Sequence, residues 1–458
     1  MPNYDAIIIG AGQSGPALAR RLVAAGRKVA IIERALFGGT CVNTGCTPTK
    51  TLAASAYVAH MARRAADYGV RIEGSINTDM KAVKARKDAV VATFRDGVEH
   101  SLKTLQGCTV YQGHGRFVAD KKVAVNDIEL AADHIFVNVG ARAAIPPIPG
   151  LEQVPYLTNS SMMDIDFLPS HLLILGGSYI GLEFAQTYRR FGSDVTVIEF
   201  GPRLIAREDE DVSQAVAGFL KEEGIDVRVG SKMLGVGKQG NSIAAKVESS
   251  GGISQIAGTH LLVATGRRPN TVDLGLDKAG IDTDGRGYIQ VDDQLRTSVS
   301  GVWAMGDCNG RGAFTHTSYN DFEIVAGNLL DNDQKRVSDR IMAYALYTDP
   351  PLGRAGMTEA EVRKTGKPAL ISTMVMKDVM RAYERGETKG FMKILVDRDS
   401  KQILGASFLG LEGDEVIHCV LDIMYAKAPY TVLQRAMHIH PTVSEFIPTM
   451  MDKLKPLQ

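Results

Sequence analysis

Cys41 and Cys46 stand within Gly38-Gly39-Thr40-Cys41-Val42-Asn43-Thr44-Gly45-Cys46-Thr47-Pro48-Thr49-Lys50, two of only five cysteines in 458 residues. Three kinds of chemistry use such a pair: a metal site, a static disulfide and a working thiol–disulfide couple. Zinc sites usually start from two cysteines separated by two residues and add a second pair or histidines. Here the separation is wider and no second pair exists, so no metal is expected at the cysteines. A static disulfide belongs to oxidising compartments. The opening MPNYDAIIIG lacks the basic start and cleavage site of a signal peptide and runs straight into an apolar strand. A cytoplasmic location is therefore expected, which disfavours a static bridge. Near the other end, His438-Ile439-His440-Pro441-Thr442-Val443-Ser444-Glu445 brings two imidazoles and a carboxylate together. On a strand, the two histidines would share one face, which would suit either a metal pair or an acid–base histidine with a structural neighbour.

Two glycine-rich turns frame these residues. Tyr4–Ile9 is an apolar strand of a buried parallel sheet, followed at once by Gly10-Ala11-Gly12-Gln13-Ser14-Gly15, a helical stretch ended by Gly26, and a second strand ended by Glu33. Glycines in this pattern permit a tight turn and the close approach of a pyrophosphate. The helix N-terminus supplies free N–H groups and a positive dipole end, and the acid accepts from a ribose. The pattern returns in HLLIL, Gly176-Gly177-Ser178-Tyr179-Ile180-Gly181, a helix, and a strand running to Glu199, with Ser178 where the middle glycine would stand. Two dinucleotides in one chain, together with a cysteine pair, suggest an electron path. A carboxylate at Glu199 accepts from a 2′-hydroxyl and repels a 2′-phosphate, which favours NADH over NADPH. Arg203 and Arg207 follow closely enough to receive a phosphate all the same.

The bulk numbers bound the remaining possibilities. The length suits about three domains, and 45% apolar residues suffice for large cores. Lys plus Arg and Asp plus Glu are 52 each, so no basic excess exists for nucleic acid or an anionic membrane, and no apolar run reaches the ~20 residues of a membrane helix.

The motifs GAGQSG, GGTCVNTGCTPTK, GGSYIGLEFA, ATGRRPN, GVWAMGD and HIHPTVSE, in that order, resemble those of the class I flavoprotein disulfide reductases, which include dihydrolipoamide dehydrogenase, glutathione reductase and mercuric reductase. The resemblance runs over essentially the whole chain. It implies an α/β fold with two Rossmann-like dinucleotide-binding domains and a C-terminal α+β dimerisation domain. FAD would be bound through Gly10, Gly12, Ser14, Gly15, Glu33, Thr40, Lys50, the loop glycine Gly115, and Asp307, with Ala313, Phe314, Thr315 and His316 beneath the flavin edge. NAD(P)H would be bound through Gly176, Ser178, Gly181, Glu183 and Glu199, with Gly266 alongside. The expected division is 1–149 for the first part of the FAD domain, 150–268 for the NAD(P) domain, 269–336 for the second part of the FAD domain, and 337–458 for dimerisation.

With the family in view, the pair reads as a redox-active disulfide. The stretch after Cys46 is helical with a proline near its start, so Cys46 is expected at a helix N-terminus, where a thiolate is favoured, and beside the flavin. Cys41, expected on a loop, would meet the substrate. His440 matches the family's acid–base histidine and Glu445 its orienting carboxylate, contributed in the family by the other subunit, so a homodimer is implied. Cys108, Cys308 and Cys419 are expected to be small buried residues. The expected activity is electron transfer from NAD(P)H through FAD and the dithiol to a small disulfide. Two alternatives remain open: a mercuric reductase-like reductase of metal ions or quinones, and a flavin- and NADH-binding sensor. GGTCVNTGCTPTK, FTHTSYNDF and RAYERGETKG lean toward the mercuric reductase-like branch.

Overall fold

The apolar run Asn3–Ile9 forms β1 at the centre of a parallel sheet, between β2 (Val29–Glu33) and the strand Ile128–Val137. Ile7 stands opposite Ala30 on one side and Ile135 on the other. Ile7 and Ile9 join one apolar cluster while Ala6 and Ile8 join another, so both faces of β1 are buried. That explains a continuous apolar run rather than an alternating one. The helix α1 (Ser14–Ala24) buries Leu18, Ala19 and Leu22 on one of these faces. Next come α2 (Gly39–Thr44) and α3 (Cys46–Arg63), the latter packed with the helix Met80–Lys103.

The computed structural model describes all residues from Met1 to Gln458, and the chain divides into two units. The first comprises Met1–Pro146, Leu157–Leu168 and Thr265–Arg340. Its seven-stranded sheet is completed by Cys108–Gln112, by the antiparallel strands Gly115–Ala119 and Lys122–Val125, and by Val302–Ala304, which pairs in parallel with Ile128–Val137. The helix Thr315–Leu330 packs against α1.

The second unit comprises Pro147–Tyr156, Pro169–Ala264 and Ile341–Gln458. It repeats the first pattern with β3 (His171–Leu175), α4 (Tyr179–Phe191) and β4 (Asp194–Ile198), and β3 again runs parallel to its neighbours on both sides. A three-stranded antiparallel meander, Lys232–Gln239, Ser242–Ser249 and Gly252–Gly258, follows. The C-terminal part is a six-stranded antiparallel sheet covered by the helix Gly413–Tyr425. No helix of the chain is long and apolar enough to cross a membrane.

One element of this unit departs from simple apolar patterning. Arg354 and Lys393 are each only 1% exposed in their side chains, on strands of the C-terminal sheet. Lys393 Nζ lies 3.0 Å from Asp209, 2.9 Å from Asp211 and 3.2 Å from Glu359, and the Arg354 guanidinium faces Glu208 and Asp209 at 3.7 and 3.9 Å. Glu208 also accepts a hydrogen bond from the Tyr344 hydroxyl, and burial pushes its carboxyl above the usual range against the pull of Arg354. A buried cation survives in a protein interior only with such partners.

Candidate functional site

The two glycine turns are built alike. Gly10 has φ +106 and Gly176 φ +116, so each leaves its strand in a conformation that side chains resist. A Cβ at Gly15 would run into the Gly10 carbonyl oxygen, and one at Gly181 into that of Gly176. The first helical turn therefore lies against the end of the strand before it. At the middle position a Cβ on Gly12 would meet only Asn138 Nδ2, at 3.4 Å, and Ser178 is extended (φ −100, ψ −179). A serine is thus sterically admissible there, which accounts for the one departure from the glycine pattern. Neither α1 nor α4 has its N-cap closed by a side chain, so backbone N–H groups remain for a pyrophosphate.

The two acids also match. Glu33 accepts the N–H groups of Ala11 and Ala35, both at 2.8 Å. Glu199 accepts those of Gly177 at 2.5 Å and Gly201 at 2.6 Å. Each carboxylate thereby braces its own turn and keeps lone pairs for ribose hydroxyls. Arg203 is turned back onto its loop, donating to the Ala206 and Glu208 carbonyls at 3.1 Å each. The cradles fit two dinucleotides in shape and in donor chemistry.

Other residues singled out in the sequence fall as follows. Ser14 is fully buried and its hydroxyl donates to the Ser318 carbonyl at 2.6 Å, so any part it plays toward a nucleotide runs through its backbone. Gly115 begins a strand rather than sitting in a loop, with Ile9 and Ile32 at 3.2 Å from where its Cβ would be. Asp307 lies in a short helical turn, 3.2 Å from Arg267; burial raises its carboxyl and Arg267 opposes the rise. Asp321 supports that turn by accepting from Gly306 N–H at 2.7 Å, Asn309 at 3.0 Å and Arg340 at 2.5 Å. Gly266 belongs to the first unit, where its carbonyl accepts Ala144 N–H at 2.9 Å. Glu183, on α4, accepts Tyr347 N–H at 3.1 Å. Thr40 lies in α2, and Ala313 is exposed just ahead of the stacked rings of Phe314 and His316. Cys308 is fully buried, whereas Cys108 and Cys419 are partly buried against core clusters.

The cysteine segment differs from expectation in one respect. Cys41 is carried on the short helix α2, not on a loop, while Cys46 is the first residue of α3 as expected. Gly45 separates the helices at φ −130, ψ −119, and a Cβ there would press on the Thr40 oxygen at 2.9 Å. Asn43 ties α2 down by donating to the Phe37 and Gly39 carbonyls at 2.8 and 2.9 Å. Both cysteines are free thiols, near disulfide distance and hydrogen-bonded to each other. Cys46 Sγ is 3.1 Å from the Thr315 hydroxyl, at the first residue of α5 (Thr315–Leu330), and Lys50 lies one turn along α3. The pair is electrically asymmetric. The hydrogen bond from Cys41 is the largest influence lowering Cys46, to about 6, with Thr315 and the Lys50 charge assisting and burial opposing. The same bond and burial push Cys41 far above an ordinary thiol. If either sulfur ionises, it is Cys46.

His440 Nδ1 lies 2.8 Å from Glu445 Oε2, with the imidazole 71% exposed and the carboxylate 16%. The segment is a turn, not a strand, so His438 and His440 do not share a strand face. Thr442 shapes it by donating to the Ile439 carbonyl at 2.7 Å and accepting Glu445 N–H at 3.2 Å. No group of three or more His, Cys, Asp or Glu side chains gathers within the chain to hold a metal. Sequence reasoning missed Asn138, Arg267 and Asp321 around the first cradle. A polar residue closing the apolar strand Ile128–Val137 was the one available signal.

Comparison with known proteins agrees with this geometry. Residues 4–321 match the pyridine nucleotide-disulphide oxidoreductase family, and residues 342–451 match the dimerisation domain of that family. The chain is 35% identical over 463 residues to the probable pyridine nucleotide-disulfide oxidoreductase RclA of Escherichia coli K12, covering 99% of this chain and 100% of that protein. It is 33% identical over 448 residues to a mercuric reductase of Streptomyces lividans, covering 97% and 94%. The solved Cu(II) complex of the HOCl-induced flavoprotein disulfide reductase RclA from E. coli superposes with a TM-score of 0.90 at 34% identity, covering 99% of this chain and 100% of that one. With two dinucleotide cradles, a polarised cysteine pair and a dimerisation domain on one chain, this protein belongs to the pyridine nucleotide-disulphide oxidoreductase family and is a flavoprotein disulfide reductase family enzyme.

Proposed function

We propose that the chain takes electrons from a reduced nicotinamide, NADH in preference to NADPH, and passes them through Cys41 and Cys46 to a small disulfide. The unequal sulfurs carry this reading: Cys46 lowered to about 6 and Cys41 raised. FAD would be held at the first cradle by Gly10, Gly12, Gly15, Glu33 and the Asp307 turn, and the nicotinamide at the second by Gly176, Ser178, Gly181 and Glu199. Bound there, the two cofactors supply the two-electron chemistry that reduces the Cys41–Cys46 disulfide. Cys46, at the start of α3, holds the thiolate. Cys41, the protonated member of the reduced pair, gives its proton to His440 as its sulfur attacks the acceptor, forming a mixed disulfide as the acceptor's own S–S bond breaks. The leaving thiolate needs a proton, and His440, its Nδ1 held by Glu445, returns to it from Nε2 the proton taken from Cys41. Attack of Cys46 on the mixed disulfide then releases the second thiol and restores the intramolecular bond. His440 would come from the partner subunit of a homodimer. The NADH preference is supported by Glu199 at the ribose position and by Arg203, which is occupied with its own loop carbonyls.

A second reading, favoured by the likeness to a Cu(II)-complexed RclA and to mercuric reductases, makes a metal ion the acceptor on the same dithiol. A screen of NADH and NADPH oxidation against glutathione disulfide, lipoamide, other small disulfides, Cu(II), Hg(II) and quinones tests both readings. We expect NADH to exceed NADPH at least about tenfold in kcat/KM, from the repulsion at Glu199. Turnover with Cu(II) or Hg(II) and with no disulfide would replace the first reading by the second.

A further inference from the structure

A hydroxyl from a distant part of the chain lies against the Cys46 sulfur. Thr315 Oγ1 lies 3.1 Å from Cys46 Sγ. Both residues open helices: Cys46 is the first residue of α3, and Thr315 is the first residue of α5. The sulfur therefore meets the positive ends of two helices at once, one its own and one brought across by the fold. The first turn of α5 is held in place by other side chains. Thr317 both donates to the Phe314 carbonyl, at 2.7 Å, and accepts Phe314 N–H, at 3.1 Å. Ser318 is bound to the buried Ser14 hydroxyl at 2.6 Å, and Asp321 is locked into the Gly306, Asn309 and Arg340 network. Thr315 is thus presented to the sulfur by an anchored turn, while Thr317 does the capping.

We propose that Thr315 holds Cys46 in the ionised form by donating its O–H to that sulfur, so that the Cys46 thiolate depends on Thr315 and not on Lys50 alone. This rests on the reading of Cys46 as the ionised partner. The physical grounds are simple. A hydroxyl can donate to a thiolate and rotate to accept from a thiol, but a charge-assisted hydrogen bond is about twice as strong as a neutral one. The contact therefore favours the charged form. Lys50 is a point charge on a flexible stem, whereas a donor fixed at a helix start loses little freedom in making its bond. The lowering of Cys46 agrees, with the Thr315 hydrogen bond ranking ahead of the Lys50 charge; Thr315 also acts on Cys41, but there the bond to Cys46 and burial outweigh it and raise that thiol.

The test is the pH dependence of alkylation at Cys46 in the dithiothreitol-reduced, flavin-loaded protein, with the Cys41 and Cys46 peptides separated by mass spectrometry. Because Cys46 lies below an ordinary thiol, its thiolate should persist as pH falls and be protonated only below about 6. In Thr315→Val, which keeps the shape and removes the donor, the midpoint should rise by about one pH unit or more, as expected for losing a hydrogen bond to a charged group. Thr315→Ser should restore the parent profile. A Thr315→Val profile coinciding with the parent overturns the inference, as do equal shifts in the valine and serine variants. If Thr315→Val does not fold, Thr315→Ala serves as the donor-free variant under the same criteria. A parent Cys46 titrating like a free thiol, near 8.5, would overturn the reading of the cysteine roles, and this inference with it. That result is distinct from a lowered parent unaffected by the variants.

Discussion

At the scale of single residues, the working asymmetry of the site comes from short hydrogen bonds rather than from composition. Cys41 and Cys46 differ because one donates to the other and because the Lys50 charge favours only the second, while Thr315, which acts on both, lies 3.1 Å from the Cys46 sulfur. On the proposed role of His440 the same logic applies: Glu445 engages its Nδ1 at 2.8 Å, and Nε2 would exchange the proton. His440→Gln is expected to slow disulfide reduction by about 10²–10⁴-fold, the usual worth of a positioned acid–base group. Electron transfer from NADH to a dye that needs no thiol chemistry should fall less than about threefold, since on that proposal the group acts only at the acid–base step. Stopped-flow and steady-state rates on the two acceptors check this; equal losses would remove His440 from proton transfer.

At the scale of elements, the strand–turn–helix units are closely packed, and their glycines are sterically required at two points. Gly10 and Gly176 carry positive φ, and Gly15 and Gly181 lie against the carbonyls of those residues. Gly181→Ala should therefore push α4 away from β3 and disorder the second cradle only. Expected are a rise in KM for NADH of about tenfold or more, by the energetics of overpacking, and an unchanged flavin content, since the first cradle is untouched. Absorbance of the bound flavin and NADH titration measure the two separately. The tolerance for Ser178 follows from the same geometry: the middle position has room for a side chain, whereas the first and last do not.

At the scale of the whole molecule, two features await test. The family's dimerisation domain spans residues 342–451 and includes His440, so we expect each site to draw Cys41 and Cys46 from one subunit and His440 from the other. Mixing Cys46→Ser with His440→Gln protein, after reversible dissociation, should then give hybrid dimers with one intact site each. Disulfide reductase activity would recover to about a quarter of the parent value at random reassortment of a twofold dimer; no recovery would place both groups in one subunit. The second feature is the buried ionic cluster of the second unit. Lys393→Met leaves the Asp209, Asp211 and Glu359 carboxylates without their shared cation. It should destabilise that unit by about 3–5 kcal/mol, read as a lowered denaturant midpoint by circular dichroism. Glu208→Gln should cost less, because burial already pushes the Glu208 carboxyl toward its neutral form.

Local order was legible in the chain. The apolar run before Gly10, the glycine spacing and the closing acids Glu33 and Glu199 define both nucleotide turns, because each depends on contacts within about thirty residues. The placement of Cys46 at a helix start was equally local, set by Gly45 before it and Pro48 after it. The helix under Cys41 was not read, since a six-residue helix between glycines has too little pattern to announce itself. Nor were Lys393 and Arg354 legible as buried cations, because their strands look like ordinary apolar ones with a surface charge. The sequence by itself determined which chemical groups the protein owns and the local turns that display them. Only the tertiary structure decided that Thr315 reaches the Cys46 sulfur across 269 residues, that Ser14 is spent on α5, and that Lys393 finds its acids from Asp209 to Glu359. Such contacts join elements far apart in the chain, and no local spacing encodes which side chains packing will bring within 3 Å or so of each other.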